Sequence, residues 1–239
     1  MAFSNAQASR IVIGSLNYSG YATQFAMSRS VDMLETTTLL DTAKTFIPGS
    51  ADATASLDFL LDSDGAAGDW AQMTAWKSSQ PTPLSYAPMG LTTGSLALLM
   101  SANESAFNVT SSPSTPVSGN LSAQATGGAE TGVVVENLTS IAATGNGTAR
   151  DGAAASTNGG VAHLHITAWS GVTSSIVTIE HSVDGSTAWA TLVTFASATA
   201  ATSERVVVAA GTTVRRYLRV VDTLTGTPVY TRGVFFARR

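Results

Sequence analysis

Two histidines separated by one residue are the first candidates for chemistry in this 239-residue sequence. In a strand, His163 and His165 point to the same face, where two imidazoles can bind a metal ion. A zinc site needs at least a third protein ligand, and no acidic cluster has matching spacing. The sequence therefore predicts that the pair lies on a polar outer strand face and ligates no metal.

Other segments that are typical of ligand sites are incomplete. Asp62-Ser63-Asp64-Gly65 resembles the opening of a calcium loop, but it lacks the later ligand positions and the terminal Glu. Gly145-Asn146-Gly147 is followed by no phosphate-loop Lys, and no nucleophile elbow is present. The sequence has no Cys, which excludes thiolate chemistry and disulfides. We predict no enzymatic activity, no metal and no cofactor.

Charge is unevenly distributed along the chain. Residues 1–149 carry 4 basic and 11 acidic side chains (net −7), whereas residues 150–239 carry 8 basic and 5 acidic ones (net +3). Arg215, Tyr217 and Arg219 share one strand face, an arrangement that suits nucleic acid. Because phosphate binding normally needs a denser basic patch, the sequence favours a solvent-exposed or subunit-contact face.

The clearest strand carries acidic residues of the first region. Residues of one parity are polar and those of the other are apolar: Asp52, Thr54, Ser56, Asp58 and Asp62 against Ala53, Ala55, Leu57, Phe59 and Leu61. A period of two predicts one core face and one polar face, and Leu60 is the exception on the polar side. The polar face has three carboxylates and no basic residue.

A long loop or extended arm is predicted before this strand, from Glu35 to a turn at Pro48-Gly49. It carries four large apolar side chains, Leu39, Leu40, Phe46 and Ile47. Apolar side chains on a loop suit packing against another subunit, although they can also fold back onto their own domain. Long loops in compact domains are usually functional, which favours the intersubunit contact.

Turn signals divide the chain into two β regions. We predict a first domain at 1–145 with one short helix at 70–78, a linker at 146–160 and a C-terminal β-sandwich-like region at 161–239. A Ser/Thr-rich loop is expected around Pro113 and Pro116. Six strands are expected in the last region, at about 161–169, 174–183, 188–196, 203–209, 213–222 and 227–237. The predicted fold class is mainly β.

The overall composition suits an assembled protein. Charged residues make up 12% of the sequence, against about 25% in a typical soluble protein, and hydrophobic residues make up 44%. Such low charge is easier to understand if other subunits cover much of the surface. The apolar runs are far shorter than the roughly 20 residues of a membrane span, and the N-terminus has no signal-peptide pattern. We expect a soluble protein made in the cytoplasm, with no membrane insertion.

Residues 31–61 resemble the major tail tube proteins of long-tailed bacteriophages. That family commonly has a strand, a long loop with Asp-Thr and a Phe-x-Pro-Gly-type end, and then a strand of alternating small and apolar residues. Here the corresponding residues are Asp41-Thr42, Phe46-Ile47-Pro48-Gly49 and the alternating strand 53–61. Residues 179–189, 204–206 and 216–220 are similar to C-terminal β regions of phage tail proteins, and also to appended β-sandwich modules in general.

The resemblance implies a tail-tube-type β-sandwich or barrel domain whose copies form hexameric rings that stack into a hollow tube. Sheets of neighbouring subunits join into a continuous barrel around the lumen, a helix packs outside, and DNA passes through during ejection. The implied partners are further copies of the chain, a tape measure protein, a tail terminator and double-stranded DNA that is not bound specifically. The implied location is the virion tail, assembled in the host cytoplasm.

Two site assignments combine this resemblance with the residues. An acidic face suits a lumen because like charge repels DNA phosphates. The residues expected to face the channel are Asp52, Thr54, Ser56, Asp58 and Asp62. The family's long loop contacts the adjacent ring, which assigns that contact to Leu39, Leu40, Asp41, Lys44, Phe46 and Ile47.

An alternative function is a glycan-binding β-sandwich protein of a virion or cell surface. Trp169, Trp189 and Tyr217 would then form a sugar platform, although buried core aromatics are the commoner fate of such residues. An enzyme of unknown type is the third hypothesis, and no convincing set of acid, base and nucleophile supports it. Polymerisation of the purified protein distinguishes the first two hypotheses.

Overall fold

The computed structural model describes residues 6–61 and 80–239. These residues form a mainly β fold, as predicted, with short 3₁₀ helices at Ala6–Ala8 and Tyr18–Gly20. The strands are β1 (Arg10–Ile13), β2 (Leu16–Asn17), β3 (Ala22–Glu35), β4 (Phe46–Leu60), β5 (Thr82–Ala87), β6 (Leu96–Ser112), β7 (Thr115–Ile141), β8 (Gly145–Asn146), β9 (Arg150–Asp151), β10 (Gly160–Ser182), β11 (Ala190–Thr194), β12 (Thr202–Val208) and β13 (Tyr217–Arg238). The helix predicted at 70–78, Asp62 and the calcium-like segment lie outside the described residues. No helix in the described part of the chain is both long and apolar enough to span a bilayer.

The chain divides into two compact units, each assembled from separated stretches. Unit 1 consists of Met1–Gly20, Thr82–Leu99 and Glu130–Arg239, and unit 2 consists of Tyr21–Pro81 and Met100–Ala129. The domain boundaries predicted at 145 and 161 stay a prediction. Within the predicted linker, β8 and β9 pair with β13.

Unit 1 is organised around the long antiparallel pair of β10 and β13, which extends from Gly160↔Arg238 to Ser182↔Tyr217. β12 pairs with the first half of β10 and β11 with its second half, while the last part of β7 pairs with β13. Alternate residues of these strands enter different cores. Leu164, Ile179 and Phe236 belong to one buried cluster, and Val134 and Phe235 belong to another.

The six strands expected at 161–237 are four in the structure, because two predicted pairs of strands are continuous. The expected break within β10 falls at Gly171 (φ 71°) and the one within β13 falls at Gly226 (φ 97°). The register of the β10–β13 ladder shifts at this point. Glycine at positive φ allows a β-bulge at which both strands bend together while their pairing continues. The two breaks that the sequence predicts between separate strands are therefore bends within continuous strands.

Unit 2 contains an antiparallel sheet in which β3 pairs with β4, and β4 pairs with the first part of β7. Of the predicted loop from Glu35 to Pro48, residues 36–45 form the loop between β3 and β4, and only its two ends are strand, because β3 continues to Glu35 and β4 begins at Phe46. Pro48 lies where β4 pairs with β3 on one side only and next to a register shift between Val31 and Met33, and Pro is tolerated at such edge or bulge positions. The predicted Ser/Thr-rich loop around Pro113 is the turn of a hairpin between β6 and β7.

Candidate functional site

The polar face of unit 2 begins with the alternation along β4. Ala53, Ala55, Leu57 and Phe59 are buried, while Asp52 and Thr54 are exposed and Ser56 and Asp58 are half-buried. Leu60 is exposed, as the sequence pattern indicated. The prediction of one core face and one polar face is therefore confirmed for residues 52–60.

Neighbouring strands extend this polar face across the sheet. The cross-strand rows are Ser30–Asp52, Ser28–Thr54–Gln124, Ala26–Ser56–Ser122 and Gln24–Asp58–Asn120. None of these residues is basic, and most are small amides or hydroxyls. The sequence pattern indicated only the β4 members of these rows, because register determines their partners in β3 and β7.

Hydrogen bonds between side chains connect the rows. The side-chain amide of Gln124 donates to the Asp52 carboxylate, and that of Asn120 donates to Asp58 Oδ1 at 2.5 Å. The hydroxyls of Ser28 and Thr54 are 2.8 Å apart. The two carboxylates are thus held by neutral donors, so the face keeps its negative charge. Its groove of about 390 Å³ is lined by small side chains, including Ser28, Thr54 and Gln124.

The second feature of unit 2 is an exposed two-stranded ribbon, residues 28–52, which we call the distal ribbon. Every residue in it is exposed. Leu39 and Leu40 at its turn have relative exposures of 106% and 94%, and Phe46 and Ile47 lie in its β4 strand. β3 pairs with β4 alone among the described strands, so no described strand covers its outer edge.

Short-range hydrogen bonds define the turn of the distal ribbon. The Asp41 carboxylate accepts from the Thr38 backbone N–H at 2.6 Å and from the Thr38 hydroxyl, and these bonds lower the pKa of Asp41. Lys44 Nζ lies 3.1 Å from Glu35 Oε2, which pairs the two charges across the ribbon. The turn is therefore shaped by polar contacts, whereas its leucines are left exposed.

The histidine pair is buried in unit 1, which corrects the predicted polar outer face. His165 Nδ1 lies 2.7 Å from the Gly14 carbonyl oxygen and therefore donates to it, and His165 Nε2 accepts from the Ser85 hydroxyl at 2.8 Å. Ser85 Oγ in turn lies 3.1 Å from His163 Nδ1 and accepts from it. The prediction failed because β5 and the β1–β2 turn, remote in sequence, cover this face of β10.

Burial explains the charge state of both imidazoles. It lowers the pKa of His165 to about 4, against the opposing effect of the Gly14 carbonyl, and lowers the pKa of His163 well below its ordinary value. Both rings are therefore neutral near pH 7. No group of three or more potential metal ligands occurs in residues 6–61 and 80–239.

Two arginines of unit 1 and the aromatic residues of the predicted sugar platform already have contacts within the chain. Arg219 pairs with Glu180 at 2.6 Å and lies over the Trp189 ring, 4.2 Å from its centre. Arg216 pairs with Asp151 and lies over Tyr217. Trp169 packs against the core residue Tyr230. Paired arginines are poorly placed for phosphates, and covered rings are poorly placed for sugars, so these contacts favour neither nucleic-acid nor glycan binding.

A buried polar network in unit 1 was missed in the sequence. Arg232 Nε donates to Asp222 Oδ1 at 3.0 Å, and a second Arg232 nitrogen contacts the other carboxylate oxygen. The Tyr230 hydroxyl also donates to Asp222, at 2.5 Å, and accepts from Ser175. Burial and this bond raise the pKa of Tyr230. No local pattern marks the network, because Asp222 lies on one side of the bend in β13, and Tyr230 and Arg232 lie on the other.

Comparisons with known proteins give only distant similarities. No protein-family model and no curated protein matches the sequence. Among solved structures, the chain is similar to one from the virion of a native gene transfer agent particle, with 10% identity, a TM-score of 0.44 and coverage of 54% of this chain and 98% of the other. A chain from the C6-symmetric tail of an empty gene transfer agent particle gives 11% identity, a TM-score of 0.43 and coverages of 53% and 97%.

The similarity to the Dit protein of phage SPP1 covers more of this chain. That protein is described as a paradigm of the hub adsorption apparatus in phages that infect Gram-positive bacteria. The alignment covers 96% of this chain and 98% of Dit, with 10% identity and a TM-score of 0.38. Similarity at this level carries no functional argument.

Proposed function

We propose that this chain is a structural virion protein that self-assembles into stacked hexameric rings, which form the hollow tail tube through which phage DNA passes. The observation that carries the proposal is the distal ribbon. Two strands exposed on both faces, with Leu39 and Leu40 fully in solvent, are marginally stable in water by themselves. Contact with further copies would cover them.

The open edge of β3 supports lateral association. An unpaired strand edge is a template for pairing with another chain, and closing sheets into a barrel removes such edges. β3 is a long strand that ends one side of the unit 2 sheet among the described strands. Pairing of this edge with a neighbouring copy would extend the sheet around a ring, which is also what the tail-tube resemblance of residues 31–61 implies.

The polar face supports the lumen assignment. In the proposed tube, Asp52, Thr54, Ser56 and Asp58 line the channel, and Asp62 continues their parity outside the described residues. Carboxylates among neutral amides and hydroxyls, with no basic residue in the cross-strand rows, would repel DNA phosphates and offer no counter-charge that binds them. The tape measure protein and the tail terminator are the further partners that the resemblance implies.

Negative-stain electron microscopy of the purified protein over a range of concentrations tests the proposal. We expect hollow, evenly banded tubes or six-fold rings. The variant Leu39→Asp/Leu40→Asp should lose banded tubes, because a charge in the contact between rings must be desolvated. Val183→Asp is the matched control, since Val183 is also an exposed apolar residue but lies in unit 1.

The outcomes separate the parts of the proposal. Single particles at every concentration of the unaltered protein contradict self-assembly. Tubes of normal length from Leu39→Asp/Leu40→Asp contradict the contact between rings and leave lateral association intact. Loss of tubes in the Val183→Asp control would indicate general sensitivity to added charge.

A further inference from the structure

Unit 2 has a second exposed ribbon, residues 105–117, at the turn between β6 and β7. Every residue in it is exposed except the half-buried Phe107, and Val109 and Val117 have relative exposures of 45% and 41%. It contains no Asp, Glu, Lys or Arg. We call it the uncharged ribbon.

The absence of charge in this ribbon is informative. Exposed strands of soluble proteins usually carry charged residues, especially Lys, because these prevent unwanted pairing with other chains. The uncharged ribbon has no protecting charge, only Pro113 and Pro116 near its turn, and Val109, Val117 and Phe107 make it partly apolar. A contact that covers it would desolvate no charge within this ribbon, and this lowers the cost of docking.

The two ribbons of unit 2 lie at opposite ends of the sheet. Strand β4 runs from Phe46, next to the distal turn, to Leu60, which pairs with Ser118 of β7. The turn of the uncharged ribbon lies beyond Ser118, so the length of β4, about 50 Å at about 3.3 Å per residue, separates the two turns. A copy displaced along the strand direction therefore brings its distal ribbon to the uncharged ribbon of its neighbour.

We propose that the uncharged ribbon is the docking surface for the distal ribbon of a second copy of this chain. The contact joins two different surfaces, and repetition of such a heterologous contact produces an open filament. The inference rests on the proposed self-assembly and names the surfaces through which successive copies meet. Each copy presents one ribbon of each kind, so every interior copy has both covered.

The state of the charges near the distal turn favours this occupant. The leucines of the distal turn stand beside charges that are already neutralised or hydrogen-bonded within the turn, Lys44 with Glu35, and Asp41 with Thr38. The uncharged ribbon offers apolar and hydroxyl groups with which no ion pair has to be broken. A strongly charged partner, such as nucleic acid, would find no counter-charge in it.

Cysteine trapping tests the contact, since the chain has no Cys of its own. The variant Leu40→Cys/Val109→Cys, incubated under mild oxidation, should give an open ladder of disulfide-linked multimers on non-reducing gels. A disulfide within one copy is excluded, because bridged Cα atoms lie about 4.4–6.8 Å apart. Mixing the single variants Leu40→Cys and Val109→Cys should give disulfide-linked heterodimers and no larger multimers.

The control pairs Leu40→Cys with Val183→Cys, an exposed position in unit 1. Leu40→Cys should cross-link to Val109→Cys at least about a hundredfold faster than to Val183→Cys. The reason is that the two thiols of a docked pair react at an effective concentration near millimolar. Equal rates with both partners overturn the inference. Circular dichroism of each variant verifies folding, which the exposure of these positions favours.

Electron microscopy of the same samples separates the two proposals. Tubes without preferential cross-linking overturn the contact between ribbons and leave the proposed function standing. A monomeric protein that gives neither tubes nor cross-links contradicts both proposals.

Discussion

Unit 1 and unit 2 use similar strands but cover them differently. In unit 1, the first part of β10, residues 160–166, has both faces buried, with Leu164 in one core and His163 and His165 beneath β5 on the other face. In unit 2, β4 has one buried face and one polar face between Ala53 and Phe59, and neither face is buried before that. The described residues of unit 1 therefore cover both faces of a strand, whereas residues 28–52 of unit 2 are exposed, and in the proposed assembly further copies cover them.

The largest expected effect comes from the buried network of unit 1. Asp222→Ala leaves the Arg232 guanidinium, which is 1% exposed, without its carboxylate, and removes the acceptor of the Tyr230 hydroxyl. Removing one partner of a buried ion pair costs about 3–5 kcal/mol. Urea unfolding followed by circular dichroism should show this loss in the free energy of unfolding. Asp151→Ala, which breaks the exposed pair with Arg216, is the control, and an equal loss in both variants would contradict the comparison.

Acidification should destabilise unit 1 next most strongly. The His165 imidazole has a folded pKa of about 4, below its ordinary value, so the unfolded chain binds more protons between about pH 4 and pH 6.5. Stability should therefore be constant above about pH 6.5 and fall below it, by up to about 3 kcal/mol for this residue at pH 4.

Thermal unfolding between pH 5 and pH 8 measures this dependence, largely above the range in which carboxylates titrate. His165→Gln should reduce the slope of stability against pH. His181→Gln should leave most of it, because that imidazole is less buried, although burial also lowers its pKa. A slope that is the same in His165→Gln as in the unaltered protein would contradict this assignment.

A close approach in unit 2 gives the third effect. A Cβ atom on Gly119 would lie 2.8 Å from Cε2 of the buried Phe59 ring, so Gly119→Ala forces the core of this sheet apart. Overpacking of this kind costs typically about 1–3 kcal/mol. Hydrogen exchange should show faster opening of β4 and β7 in unit 2. Gly145→Ala, where an added Cβ meets no atom within 4 Å, should show no change, and the same behaviour in both variants would contradict the packing argument.

The smallest effect on stability is expected at the polar face. Asp52→Lys/Asp58→Lys should change the free energy of unfolding by less than about 1 kcal/mol and leave tubes intact, because Asp52 is exposed and Asp58 is half-buried. In virions the Lys variant should slow DNA ejection, because it replaces repulsion of the phosphates with attraction. Asp52→Asn/Asp58→Asn should give an intermediate rate, because it removes the repulsion without adding attraction. An unchanged ejection rate would contradict the lumen assignment.

The sequence determined the features that depend on local periodicity. Alternation along residues 52–60 specified strand β4 and both of its faces, because a period of two places neighbours on opposite sides of a strand. The mainly β class followed from the same kind of pattern. The sequence also located two interruptions, between the strands predicted at 161–169 and 174–183 and at 213–222 and 227–237, although the structure has register shifts or bends there and continuous strands.

Tertiary structure alone decided which faces are covered and which residues meet. The spacing of His163 and His165 placed them on one face, but only the contact with β5 and the β1–β2 turn made that face part of a core. The Asp222–Arg232 pair depends on the bend within β13, and the rows of the polar face depend on ladder register, which links residues far apart in sequence. Local patterns specify the direction of a side chain, whereas long-range pairing determines what lies opposite it.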